Sequence, residues 1–199
     1  GQKLVPLGPF SDNDEIFTDS IYFGERSDSP YASKPIEGSL ITMFVRQSVA
    51  EQLKQALKSL PKGMYLVVFD AYRNLETQQS LFNVYHQALR EQNPDWSEDQ
   101  LLAKTQKYVS LPSKDPAKPS PHNTGGAVDV AIFQLPENID QKVKNLNRKI
   151  SKLEDDINKW KQVYQLEIEK ISLIRDRAQL LNFGTPFDYG EEEATSEFF

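Results

Sequence analysis

The chain has 199 residues, a net charge of −6, two histidines and no cysteine. Without thiols it forms no disulfide, no zinc–thiolate site and no cysteine nucleophile, and its acidity argues against a nucleic-acid backbone as partner. The length suits one domain, or one domain with an appendage.

Apolar residues make up 38 % of the chain and charged residues 26 %, a composition on the polar side of soluble globular proteins. No apolar run approaches the roughly 18 residues a bilayer span needs, so no transmembrane segment is expected. The opening GQKLVPLGPF has no basic segment leading into an apolar one, so no signal peptide is expected. Nothing in the composition fixes the compartment. With two histidines, any metal site must lean on carboxylates or borrow a ligand.

Residues 1–44 are rich in Pro, Gly, Ser and Asp and read as loops with short strands. Val49, Leu53, Leu57 and Leu60 recur three to four apart, which predicts an amphipathic helix over about 45–60. The PKG at 61–63 stops it. MYLVVFDAY, a continuous apolar run with β-branched and aromatic residues, predicts a buried strand. A second helix is expected from Leu75 to Glu91, burying Leu81, Phe82, Tyr85 and Leu89, with Asn93-Pro94 ending it. Ser97 and Gln100 have the spacing of a capping box, so a third helix should run to about Val109. A Pro- and Lys-rich loop then leads to SPHNTGGAVDVAIF, whose second half reads as another strand.

Two short stretches carry candidate chemistry. In SPHNTGGAVDV, His122 stands seven residues ahead of Asp129. That spacing matches neither a helical nor a strand pair. The Gly-Gly between them permits a fold-back that brings the two together, and His nitrogen and Asp oxygen are both zinc ligands. The plain alternative is a loop histidine before an ordinary turn. In FDAYRN, Arg73 sits at a strand end, either as a surface ion-pair partner or as a cleft residue that grips an oxyanion. His86, in the middle of the second helix, reads as structural or exposed.

The two stretches together resemble a known family. Ser120, His122, Gly125, Ala127 and Asp129 fit S-x-H-x-x-G-x-A-x-D, DAYR fits a D-x-Y-R strand end, and GTPFD at 184–188 fits a third block. The chain is similar in these to the zinc D-alanyl-D-alanine dipeptidases, the VanX-type branch of the metallopeptidases. The resemblance implies an α+β fold in which a small antiparallel sheet holds the metal and helices flank it, as in Hedgehog-like DD-peptidases. It implies zinc (Zn2+) on His122 and Asp129, with Arg73 steadying the oxyanion. Ser120 would lie near the substrate, and Asp188 would meet the free ammonium of a small peptide. The activity implied is hydrolysis of D-Ala-D-Ala or a related peptidoglycan-derived peptide, in a bacterial cytoplasm or periplasm. A D,D- or L,D-carboxypeptidase of the same fold is the runner-up.

Two departures from that pattern stand out. The family's late E-x-x-H block, which carries the third zinc ligand and the general base, is absent from these 199 residues. Either the chain shown is incomplete, which is the expectation here, or it is a catalytically dead scaffold that binds a partner. The Glu191–Glu193 run reads as a solvated acidic tail. Second, residues 137–182 carry Ile139, Val143, Leu146, Ile150, Leu153, Ile157, Trp160 and Tyr164 alternately four and three apart, a coiled-coil-like stripe. One helix of about 45 residues would run some 68 Å, too long to return to the same small domain. The expected organisation is therefore a peptidase-like domain of 1–136 plus 183–199, with 137–182 as an inserted helical hairpin turning near Glu154–Asn158. The stripe either holds the hairpin together or, across 139–181, docks a protein partner or a second subunit.

Overall fold

The computed structural model describes residues 2–24, 29–113, 115, 117–153 and 156–182. Strands β1 (Leu4–Pro6), β2 (Phe17–Thr18) and β3 (Phe44–Arg46) lead into helix α1 (Gln47–Ser59) and strand β4 (Met64–Asp70). Helices α2 (Leu75–Gln92) and α3 (Glu98–Tyr108) follow, then β5 (Asp129–Gln134), α4 (Glu137–Ser151), α5 (Trp160–Arg177) and β6 (Gln179–Leu180). The architecture is α+β, with no described helix long and apolar enough to cross a membrane. The first three helices lie within two residues of their predicted ends, because apolar periodicity marks α1 and side-chain caps start α2 and α3. Ser97 and Gln100 form the reciprocal capping box, and Asn74 caps α2 by accepting from the Thr77 N–H.

β1 and β3 pair antiparallel, while the larger sheet has the order β2-β4-β5-β6. That sheet is mixed rather than wholly antiparallel as expected: β2 runs parallel to β4, and β5 is antiparallel to both β4 and β6. The parallel pair is allowed because β3 and α1 lie between its strands and supply the crossover. β4 is buried from Leu66 to Asp70, as a strand covered on both faces must be. Its side chains alternate between two cores. Val67 and Phe69 join Phe133, Leu81, Ile139, Val143 and Ile174 on one face. Leu66 and Val68 join Val45, Ala50 and Leu53 on the other.

α4 and α5 pack against each other. Ile139, Val143, Leu146 and Ile150 are buried along α4, but on α5 Trp160, Tyr164 and Ile168 are exposed, Trp160 to 59 %. The buried face of α5 is instead Glu167, Lys170 and Ile174, with Lys170 Nζ donating to Glu167 Oε1 at 2.8 Å. The physical reason is that Ile139, Val143 and Ile174 pack into the sheet's own core. These helices therefore satisfy the sheet as well as each other, which rotates the buried face of α5 away from the sequence stripe. Residues 154 and 155, at the expected turn, lie outside the described residues.

Asp140, buried in the first turn of α4, accepts from the Tyr65 hydroxyl and from Lys144 Nζ, the latter at 2.6 Å. Burial pushes its carboxyl up, but the Lys144 and Tyr65 hydrogen bonds outweigh burial and hold it below the ordinary aspartate range. A lowered carboxyl stabilises the fold above its unfolded pKa of about 3.9, and that contribution vanishes as the pH falls through the lower folded value. The stability gap between wild type and Asp140→Asn, followed by urea unfolding, should therefore narrow below about pH 5. A gap independent of pH would show that Asp140 does not carry this ionic contribution.

Candidate metal centre

The centre forms where β4 ends and β5 begins. The two strands stay in step from Met64↔Gln134 to Val68↔Val130, a constant sum of 198, which would set Asp70 opposite Val128. An irregularity between Val68 and Asp70 places Asp70 opposite Asp129 instead. Such bulges re-aim side chains at sheet rims, and here the result is two carboxylates at one strand end.

His122 reaches the same place from a short 3-10 turn, His122–Thr124. Gly125 closes that turn at φ +67, which favours glycine, and a Cβ there would also push aside Leu4 Cδ2, 2.4 Å away. β3 grips the turn as well: the Arg46 N–H donates to Gly125 O and Arg46 Nε to Thr124 O, each at 2.8 Å. The two motif stretches are then tied to each other. The Arg73 N–H donates to His122 O at 3.2 Å, and the Asn123 amide donates to Arg73 O. Ser120 Oγ donates to Asn123 Oδ1 at 2.7 Å, so Ser120 steadies this junction.

The His122 ring has two different ends. Nδ1 lies 2.9 Å from Ala71 O and 3.1 Å from Asp70 Oδ2. A carbonyl acceptor requires the proton on Nδ1. Nε2 faces Asp129 Oδ1 at 3.6 Å. Burial pushes the imidazole pKa down, but Asp70, the Ala71 carbonyl and Asp129 together leave it raised. Asp70, His122 and Asp129 each offer a ligand atom within 4.8 Å of the others. Their N/O chemistry suits zinc or a similar divalent ion, and a ligating histidine ordinarily donates its second ring nitrogen in the way Nδ1 does here.

Asp70 has a further partner. Arg73 donates to Asp70 Oδ2 from both Nε, at 3.1 Å, and Nη2. The same guanidinium donates to Gln78 Oε1 at 3.0 Å and to the Tyr22 hydroxyl at 3.2 Å, and lies 4.9 Å over the Tyr22 ring. Burial works against its charge, yet Tyr22 and Asp70 keep its pKa raised.

Of the residues singled out from the sequence, His122, Asp129, Arg73 and Ser120 meet in this one corner. Asp188, with the GTPFD block and Glu191–Glu193, lies outside the described residues. His86 instead stitches α2 to α3, with ring nitrogens 2.9 Å from Thr105 Oγ1 and 3.0 Å from Glu98 Oε1. Asp70, Gln78 and Tyr22 were missed. Asp70 was visible as the first residue of DAYR. The other two carry no local signal.

Residues 42–176, more than half the chain, match the family VanY, D-alanyl-D-alanine carboxypeptidase. The chain belongs to this family. The matched span holds Arg73, Ser120, His122 and Asp129, so the motif stretches and the family agree. VanY is a peptidase family, and its description is of a carboxypeptidase rather than of the dipeptidases the sequence resembles. No curated protein and no solved structure gave a significant match.

Proposed function

We propose that this chain is a zinc-dependent peptidase that hydrolyses the bond between two D-alanines. The observation that carries this is the convergence of His122 Nε2 on the Asp129 carboxylate beside a guanidinium already held by Asp70. His122 and Asp129 would hold the ion. Asp70, the third ligand-capable group, is committed to Arg73 and to His122 Nδ1, and its role is to anchor both. A zinc ion there would supply an acidified water and a polarised carbonyl.

The chain's own groups orient the donor atom and stabilise charge; the general base implied by the resemblance belongs to the E-x-x-H block absent from these residues. Asp70 and Ala71 O keep the His122 proton on Nδ1 and leave Nε2 as the donor atom. Arg73, fixed before substrate arrives, offsets the negative charge that develops on the scissile carbonyl oxygen. Ser120 holds the loop in which substrate would contact His122. β6 runs antiparallel to β5, so the chain leaves Leu180 heading toward the Asp129 end of that strand. The GTPFD resemblance is what supports Asp188 as the partner of a substrate ammonium.

Two substrate classes follow. The family description favours a carboxypeptidase that trims a longer peptide ending in D-Ala-D-Ala. The SPHNTGGAVDV and GTPFD blocks favour a dipeptidase that takes free D-Ala-D-Ala. The test supplies zinc to the full chain and measures D-alanine release from each peptide. Release from the longer peptide assigns the carboxypeptidase, and release from the free dipeptide assigns the dipeptidase. Zinc binding without release from either peptide overturns the peptidase reading and leaves a metal-binding scaffold, on which residues 139–181 would be the candidate surface for a protein partner.

A further inference from the structure

Arg73 is useful to a reaction only if its guanidinium stays put, and Asp70 alone does not hold its far edge. Gln78 does. It is buried to 3 % exposure in the second turn of α2. Its Oε1 accepts from Arg73 Nη1 at 3.0 Å, and its Nε2 donates to Ser110 O at 2.7 Å. Only one orientation of the amide serves both partners. Flipped, it would set an NH2 against the guanidinium and an oxygen against the carbonyl. Ser110 directly follows the C-cap of α3, Val109, and begins the loop that ends at Ser120 and His122. The amide therefore joins the arginine to the base of the segment that delivers the histidine.

Resting on the peptidase reading above, we propose that Gln78 is a positioning residue. It fixes the Arg73 guanidinium in the plane set by Asp70 and couples that plane to the 110–120 loop. Asp70 sets one edge of the guanidinium, Gln78 the other, and the Tyr22 ring its face. A purely structural role, pinning α2 to the loop, would need only the Ser110 contact. The Arg73 contact is what the proposal adds.

The two contacts are separable. Gln78→Glu keeps an acceptor for Arg73 and loses the donor to Ser110 O. Gln78→Met loses both at similar size. Two readouts are taken on full-length zinc-supplied protein: the arginine side-chain proton–nitrogen spectrum, and kcat and KM for release of D-alanine. In wild type the Arg73 Nη protons should appear as separate, slowly rotating signals. Gln78→Met should collapse them and lower kcat about a hundredfold, the cost of a reacting group misplaced by around an ångström, with KM little changed. Gln78→Glu should restore the split signals and most of kcat even if its melting temperature is the lower of the two.

Unchanged signals in Gln78→Met overturn the proposal. So do freed signals with an unchanged kcat, and so does a Gln78→Glu variant as slow as Gln78→Met. Should Gln78→Met fail to fold, Gln78→Glu against wild type decides by the same two readouts. A wild-type protein that releases no D-alanine sinks the peptidase reading instead, while the spectrum still decides whether Gln78 holds the guanidinium.

Discussion

Asp70→Ala should destabilise the protein by about 3 kcal/mol, at the lower end of what removing one partner of a buried ion pair costs. Asp70 and Arg73 are both about nine-tenths buried at their side chains, so solvent replaces little of what is lost. The truncation leaves a buried guanidinium short of its carboxylate and removes one acceptor from His122 Nδ1. Gln78 and the Tyr22 hydroxyl still accept from Arg73, and this keeps the loss from the upper end of the range. Asp70→Asn keeps the shape and one acceptor oxygen without the charge, so it should fall between wild type and alanine. Urea unfolding measures both. A loss below about 1 kcal/mol for alanine, the size of an exposed pair, would mean that Asp70 and Arg73 are not bound together as described. Asp70→Asn should also weaken zinc binding by ten- to a hundredfold, the usual effect of altering a group that orients a ligand.

His122→Ala should abolish measurable zinc binding, a loss beyond the hundredfold of an outer-sphere change, because it removes the imidazole donor. The wild-type pH dependence has a defined sign. Metal needs Nε2 unprotonated. The surroundings of His122 raise its pKa: burial opposes the charged form, but Asp70, the Ala71 carbonyl and Asp129 prevail. Protons therefore compete with metal up to a higher pH than the roughly 6.5 of a free imidazole. Zinc affinity should fall as the pH is lowered through that raised value. In the metal-free protein the same group stabilises the fold below about pH 6.5, and that stability is lost as the pH rises through the folded pKa. Calorimetric zinc titration from pH 5.5 to 8 reads the first effect, and urea unfolding with chelator over the same range reads the second. Zinc affinity flat in pH, or intact in His122→Ala, would remove His122 from the centre.

Membership of a D-alanyl-D-alanine carboxypeptidase family gives these experiments a common frame. The same corner that should bind metal should also fix the arginine, and Asp70 belongs to both. Damage to Asp70 should thus show in stability, metal affinity and turnover together, whereas loss of the Gln78–Arg73 contact should show in turnover whatever the Ser110 contact contributes to stability.

The sequence by itself determined the elements whose causes are local. The apolar spacing of α1, the Ser97–Gln100 box of α3 and the unbroken MYLVVFD run place helices and a strand wherever the rest of the chain folds, because each depends on neighbours within a turn or two. The pairing of His122 with Asp129 was also legible, since a glycine turn and a motif lie between them on a short stretch. Tertiary structure decided the rest. The bulge that turns Asp70 toward Asp129 is a property of the β4–β5 register, and neither strand carries it alone. Gln78 contacts Ser110 across 32 residues and Tyr22 contacts Arg73 across 51, separations at which no periodicity survives. The exposed face of α5 was misread for the same reason. A helix stripe reports which side is apolar, while the choice between sheet and sister helix depends on how both pack, and that is fixed only when β4, β5 and α4 have met.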